Sequence, residues 1–164
     1  LSVTGEGDLA EVYSGGAKTR FFDVSQGGGL TLTGLKLSGG SAESGGAVYS
    51  KYTNLTLKNC VFDGNTATDG NGGAIWADGG VVTIVGGQFL GNNATRYGGA
   101  SQASIDDFLS LDGGGGAMFL YANVDITDSD FGWNYALLSG GALHGGLHTN
   151  VSVSGCKFGN NTSG

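Results

Sequence analysis

Short runs in which apolar and polar residues alternate recur along this chain at a nearly fixed interval. Leu30-Thr31-Leu32-Thr33-Gly34, Leu55-Thr56-Leu57-Lys58-Asn59, Val82-Thr83-Ile84-Val85-Gly86, Val124-Asp125-Ile126-Thr127-Asp128 and Val151-Ser152-Val153-Ser154-Gly155 are versions of one segment. A period of two predicts strands with Leu30, Leu55, Val82, Val124 and Val151 facing inward, joined two residues on by Leu32, Leu57, Ile84, Ile126 and Val153. Thr31, Thr56, Thr83, Asp125 and Ser152 then face outward. These strands are too short and too far apart in sequence for tight hairpins, which favours a parallel coil with glycine-rich corners.

Two further motifs keep the same beat. Phe-x-x-Asn runs from Phe62 to Asn65, Phe89 to Asn92, Phe131 to Asn134 and Phe158 to Asn161, with the phenylalanines 27, 42 and 27 residues apart. Gly-Gly-Ala opens at Gly45, Gly72, Gly98, Gly115 and Gly140. A period in this range marks a stacked repeat, in which each unit buries its apolar face against its neighbours. The long middle interval holds an inserted loop over residues 99–114. The phenylalanines are expected to stack inside, each contributing about 2–3 kcal/mol of burial. Asn65, Asn92, Asn134 and Asn161 are expected to turn inward at a corner and form an amide ladder.

These paired motifs resemble the repeats of the polymorphic outer membrane protein family and related right-handed parallel β-helix proteins. Gly45-Gly46-Ala47-Val48, Gly72-Gly73-Ala74-Ile75 and Gly140-Gly141-Ala142-Leu143 match the Gly-Gly-Ala-aliphatic motif. Gly115-Gly116-Ala117-Met118 departs mildly, and Ser101 after Gly98-Gly99-Ala100 breaks it. In residues 21–40, Leu37 stands for the Phe and Gly40 for the Asn. The resemblance implies an all-β, right-handed parallel β-helix of about six coils of ~25–27 residues. The preference of parallel crossovers points to the same hand. It also implies a surface or extracellular protein, often an adhesin, with no shared active site.

One domain over residues 1–164, open at both ends, is expected. Leu1-Ser2-Val3-Thr4-Gly5 repeats the strand segment, and residue 164 falls just short of the next Gly-Gly-Ala. A solenoid needs caps or neighbours on its end faces. Either the chain is an excerpt flanked by more coils, or its last coil meets the first coil of another copy head to tail.

Composition narrows the partners. The chain holds 35 glycines, no proline and a net charge of −7 with seven basic residues, which disfavours nucleic acid and anionic membranes. No apolar run reaches the ~20 residues of a membrane span. Asn54, Asn93, Asn150 and Asn160 open N-glycosylation sequons, as does Asn161, whose ladder role would shield it. The alternative is a polar repeat that uses Asn and Thr in its corners. Cys60 and Cys156 fall in one column three coils apart, about 14 Å, too far for a disulfide. Tyr49, Trp76, Phe119 and His144 form an outward ladder that would either contact sugars or a neighbour, or stack only on itself. His144 with His148, and Asp106, Asp107 and Asp112 with Asp125, Asp128 and Asp130, suggest metal or Ca²⁺ only faintly; no metal site and no cofactor are expected.

Polysaccharide lyases, hydrolases and epimerases also use β-helices, but their chemistry needs paired carboxylates or a base beside Arg or Lys. With seven basic residues, no Asp/Arg or Asp/His cluster recurs at one coil beyond the acidic patch. About six coils also leave little room for a cleft, so this is the less favoured reading. Ice binding needs a flat Thr-x-Thr array, and among the aligned strand segments Thr31-x-Thr33 is the only full match, with Lys58, Val85 and Asp125 interrupting the array. The expected function is a non-enzymatic, extracellular, glycosylated structural protein, a segment or subunit of a filament or surface appendage. The alternative is an adhesin that binds carbohydrate.

Overall fold

The computed structural model describes residues 1–7, 9–16, 18–25, 27–95, 118–137, 140–146 and 149–164. The chain winds as a parallel β-solenoid, and every pairing between described strands is parallel. Each complete coil visits four faces in turn. The coil that starts at Val48–Lys51 continues through Asn54–Lys58, Val61–Asp63 and Thr66–Ala67 before the next Gly-Gly-Ala corner. The first two faces fuse in the longer strands Ile75–Val85 and Met118–Thr127, with a register shift between Asp78 and Val81 where the strand bends.

The register between coils is the one the alternation predicts. Leu30 pairs with Leu55, Val82 with Leu55 and Val124, and Val124 with Val151. Phe89 pairs with Phe62 and Phe131, and Phe131 with Phe158. Leu37 stands below Phe62 in the column, and Gly40 donates its N–H to Asn65 Oδ1 at 2.9 Å, so the divergent early coil still occupies both columns. The core is the inside of the coil: Leu30, Leu32, Leu55, Leu57, Ile84, Phe62, Phe89 and Ile126 are fully buried. Neighbouring phenylalanines lie 4.9, 4.9 and 4.8 Å apart with planes within 5°, one ring per coil.

The expected six coils amount to about five turns. Among the described residues, the second-last face in chain order carries six stacked strands and the last five, with no strand of the opening coil on the last face. Six stacked strands enclose five intervals.

The Gly-Gly-Ala corner has a steric explanation. Gly45, Gly72 and Gly140 hold φ of 58°, 68° and 61°, and a Cβ there would collide with the carbonyl of Val48, Ile75 or Leu143. The second glycine lies against the short strand of the following coil: a Cβ on Gly46 would come within 2.6 Å of Thr66 N, and one on Gly141 within 2.6 Å of Thr162 N. Ala47, Ala74 and Ala142 are buried. The motifs at Gly98 and Gly115, and the 99–114 insertion, lie outside the described residues.

Candidate functional site

The amide ladder is continuous. Asn65 Nδ2 donates to Asn92 Oδ1 at 3.0 Å, Asn92 Nδ2 to Asn134 Oδ1 at 3.0 Å, and Asn134 Nδ2 to Asn161 Oδ1 at 2.8 Å. The second hydrogen of each amide goes to a carbonyl one coil back in sequence order: Leu37 for Asn65, Phe62 for Asn92, Phe89 for Asn134 and Phe131 for Asn161. Each Oδ1 also accepts a backbone N–H from the coil below, as Asn92 Oδ1 does from Asn65 at 3.0 Å. Asn65, Asn92 and Asn134 are fully buried, so this column is scaffold.

The columns that are closed inside the stack open on its end coils. Phe131 is 1% exposed and Phe158 50%; Ile126 is 0% exposed and Val153 43%. On the opposite end coil Leu9 and Val12 are exposed, and Val3 is half-buried. One outward column carries charge through both ends. Glu11 pairs with Lys36, Lys36 with Val61, Val61 with Gln88, Gln88 with Asp130 and Asp130 with Lys157. Lys36 Nζ lies 3.1 Å from Glu11 and 3.4 Å from Asp63. The Ser38 hydroxyl and then Lys36 hold the Glu11 carboxyl below its usual range, and Glu11 in turn raises the Lys36 ammonium.

The sequon asparagines divide by exposure. Asn54, Asn150 and Asn160 are exposed; Asn54 and Asn150 share one column, with Val81 and Asn123 between them. Asn54 Oδ1 accepts from the Val81 N–H at 3.0 Å, and Asn150 Nδ2 donates to Asn123 Oδ1 at 3.1 Å. Asn93 is half-buried in the strand Asn93–Ala94, and its Oδ1 is buried without a hydrogen-bond partner among the described residues.

Tyr49, Trp76, Phe119 and His144 do fall in one register. Tyr49 and Trp76 stack at 4.3 Å with planes 7° apart, and the Arg20 guanidinium sits 4.7 Å from the Tyr49 ring centre. Tyr49 thus has one face against Trp76 and a cation over the ring, and burial pushes its phenol up. The side chain of Phe119 lies outside the described residues, and His144 is half-buried.

Cys60 and Cys156 are free thiols in one inward column, separated by Gly87 and Ser129. Cys60 is buried and Cys156, on the last coil, half-buried. Gly87 donates to Ser129 Oγ at 3.0 Å, and Ser129 N–H donates to Cys156 Sγ at 3.4 Å. Among the described residues no group of three or more His, Cys, Asp or Glu is placed to hold a metal. His148, Asp106, Asp107 and Asp112 lie outside the described residues.

The motif spacing alone does not predict the backbone angle at these corners. The residue just before each ladder asparagine adopts a left-handed conformation: Gly64 at φ 60°, Gly91 at 60°, Trp133 at 59° and Asn160 at 54°, continuing Gly39 at 73°. Trp133 is 70% exposed there. The third position of Phe-x-x-Asn reads Gly, Gly, Trp, Asn, so no fixed residue type marks the shared angle. No protein-family profile, curated protein or solved structure matches the chain.

Proposed function

We propose that this chain is a non-enzymatic, extracellular, glycosylated structural protein, a β-helical segment or subunit of a filament or surface appendage built by coil-on-coil stacking. The polymorphic outer membrane protein repeats are its proposed kin, through Gly-Gly-Ala-aliphatic and Phe-x-x-Asn. The observation that carries the reading is the matched chemistry of the two end coils. Laid on the last coil in unbroken register, the first coil of a second copy, or a flanking coil of the same kind, sets Val3 on Val153 and Val12 on Phe158. Glu11 then meets Lys157, repeating the pair it makes with Lys36. Such a contact is heterologous and extends without closing. Asn54, Asn150 and Asn160, with the half-buried Asn93, would carry glycans on the sides, clear of the stacking direction.

Sedimentation and electron microscopy of the secreted protein test this. Particles should lengthen with concentration, and Phe158→Asp should return them to single units. A wild-type protein that stays a single particle at high micromolar concentration removes self-assembly and leaves stacking on flanking coils, which fusing a further coil to either end would then have to stabilise. A carbohydrate-binding adhesin is the second reading, favoured by the exposed indole of Trp133. Turnover of an acidic polysaccharide would instead place the chain with the lyases and epimerases that share the coil.

A further inference from the structure

Trp133 stands where the fold selects glycine. A bulky residue at φ 59° bears steric strain that Gly64 and Gly91 avoid, and its indole, 70% exposed, finds little burial in return. Its surroundings are bare: Gly132 and Gly159 flank it, and a Cβ on Gly91 or Gly159 would meet open space. Above it is Asn160, because Gly132 pairs with Gly159 and the Trp133 N–H donates to Gly159 O at 3.1 Å. Asn160 is exposed and opens the sequon Asn160-Asn161-Thr162. Its φ of 54° matches that of Trp133, so the two Cα–Cβ bonds leave the ridge in the same direction, about one coil spacing (~4.8 Å) apart.

We propose that Trp133 is the platform for the first N-acetylglucosamine of a glycan attached to Asn160. The C1, C3 and C5 hydrogens of a β-linked pyranose form an apolar face that stacks on an aromatic ring at the separation one coil step provides. The glycine ridge leaves room for the sugar beside the indole, and the inward bonding of Asn161 directs the modification to Asn160. This inference rests on the reading of the protein as extracellular and glycosylated, and adds to it a defined conformation for one glycan.

The test uses protein secreted from eukaryotic cells and trimmed enzymatically to a single N-acetylglucosamine per site, in a Trp76→Phe background so that Trp133 is the one indole. Thr162→Ala supplies the comparison, since it removes the acceptor signal of Asn160 and leaves Asn160 itself in place. Acrylamide quenching of Trp133 should be about two- to threefold weaker in the sugar-bearing protein than in the Thr162→Ala variant, as expected of a half-covered ring. Equal quenching with Asn160 fully occupied overturns the proposal. So does glycopeptide mapping that finds Asn160 bare while Asn54 or Asn150 is modified, which leaves the wider reading intact; no modified sequon at all overturns both. Protection of the variant by free oligosaccharide, or protection that grows with protein concentration, would assign the indole to a soluble ligand or a second copy instead.

Discussion

Asn92 and Gly91 are neighbours in the chain, yet the columns they belong to follow different rules. In the inward column, Asn65, Asn92, Asn134 and Asn161 repeat the same side chain, because each amide bonds the coil above and a carbonyl of the coil below. In the corner column, Gly39, Gly64, Gly91, Trp133 and Asn160 repeat only a backbone angle. Where a side chain carries bonds, stacking fixes chemistry. Where it faces water, stacking fixes φ and leaves the residue free to take on another task.

The largest effects should come from breaking the inward columns. Asn92→Ala removes both donors of one amide and the acceptor that serves Asn65 N–H and Nδ2, leaving buried groups unpaired. At about 1–3 kcal/mol per orphaned group, a loss of ~3–5 kcal/mol in a denaturant titration is expected. Asn93→Ala, on the half-buried neighbouring position, should cost under ~1 kcal/mol. Phe89→Ala, which empties the middle of the ring stack, should cost ~3–5 kcal/mol, against roughly 1 kcal/mol for Phe158→Ala at the exposed end. Similar losses within either pair would show that the columns do not hold the coil.

Glycines sharpen the contrast. Gly72 and Gly91 have almost the same φ, 68° and 60°. A Cβ on Gly72 runs into the Ile75 carbonyl, whereas one on Gly91 meets open space. Gly91→Ala should therefore cost only the left-handed penalty, about 1–2 kcal/mol, and Gly72→Ala distinctly more, with thermal unfolding as the measure.

This contrast also explains what the sequence made legible. Period-two alternation and the repeated Phe and Asn placed Leu55 on Leu30, Phe89 on Phe62 and Asn92 on Asn65, because identity recurs wherever stacking buries it. The two-residue strands such as Thr66–Ala67 were not legible, since so short a run carries no periodicity. Nor was the corner column: a shared φ has no fixed letter, and Gly, Trp and Asn do not look alike. The same blindness hid the second left-handed column, in which Gly34, Asn59, Gly86, Asp128 and Gly155 lie at φ 50–66°. Exposure of the sequons was legible only in part, because Asn54 and Asn93 precede similar residues yet one is exposed and the other half-buried.

The smallest effects concern the two thiols, one at mid-column and one at its end. Burial pushes the Cys60 thiol up, with backbone hydrogen bonds opposing the shift. A raised folded pKa means that the folded state holds its proton longer than the unfolded chain does. Stability is then fully present below the unfolded thiol value, about 8.5, and declines as pH rises above it toward the folded value. Cys60→Ala should flatten that alkaline decline while lowering the plateau by a packing loss. Cys156, half-buried, should react with a thiol reagent at neutral pH well before Cys60, which waits for unfolding. Cys156 also reports on the end face. In register, Ala10 pairs with Leu35, and the same column runs on through Cys60, Gly87 and Ser129 to Cys156, so a docked next copy would lay its Ala10 over Cys156. Alkylation of Cys156 should therefore slow as protein concentration rises, and Phe158→Asp should abolish that slowing. A rate independent of concentration in protein that visibly forms fibres would mean that copies join by some other surface.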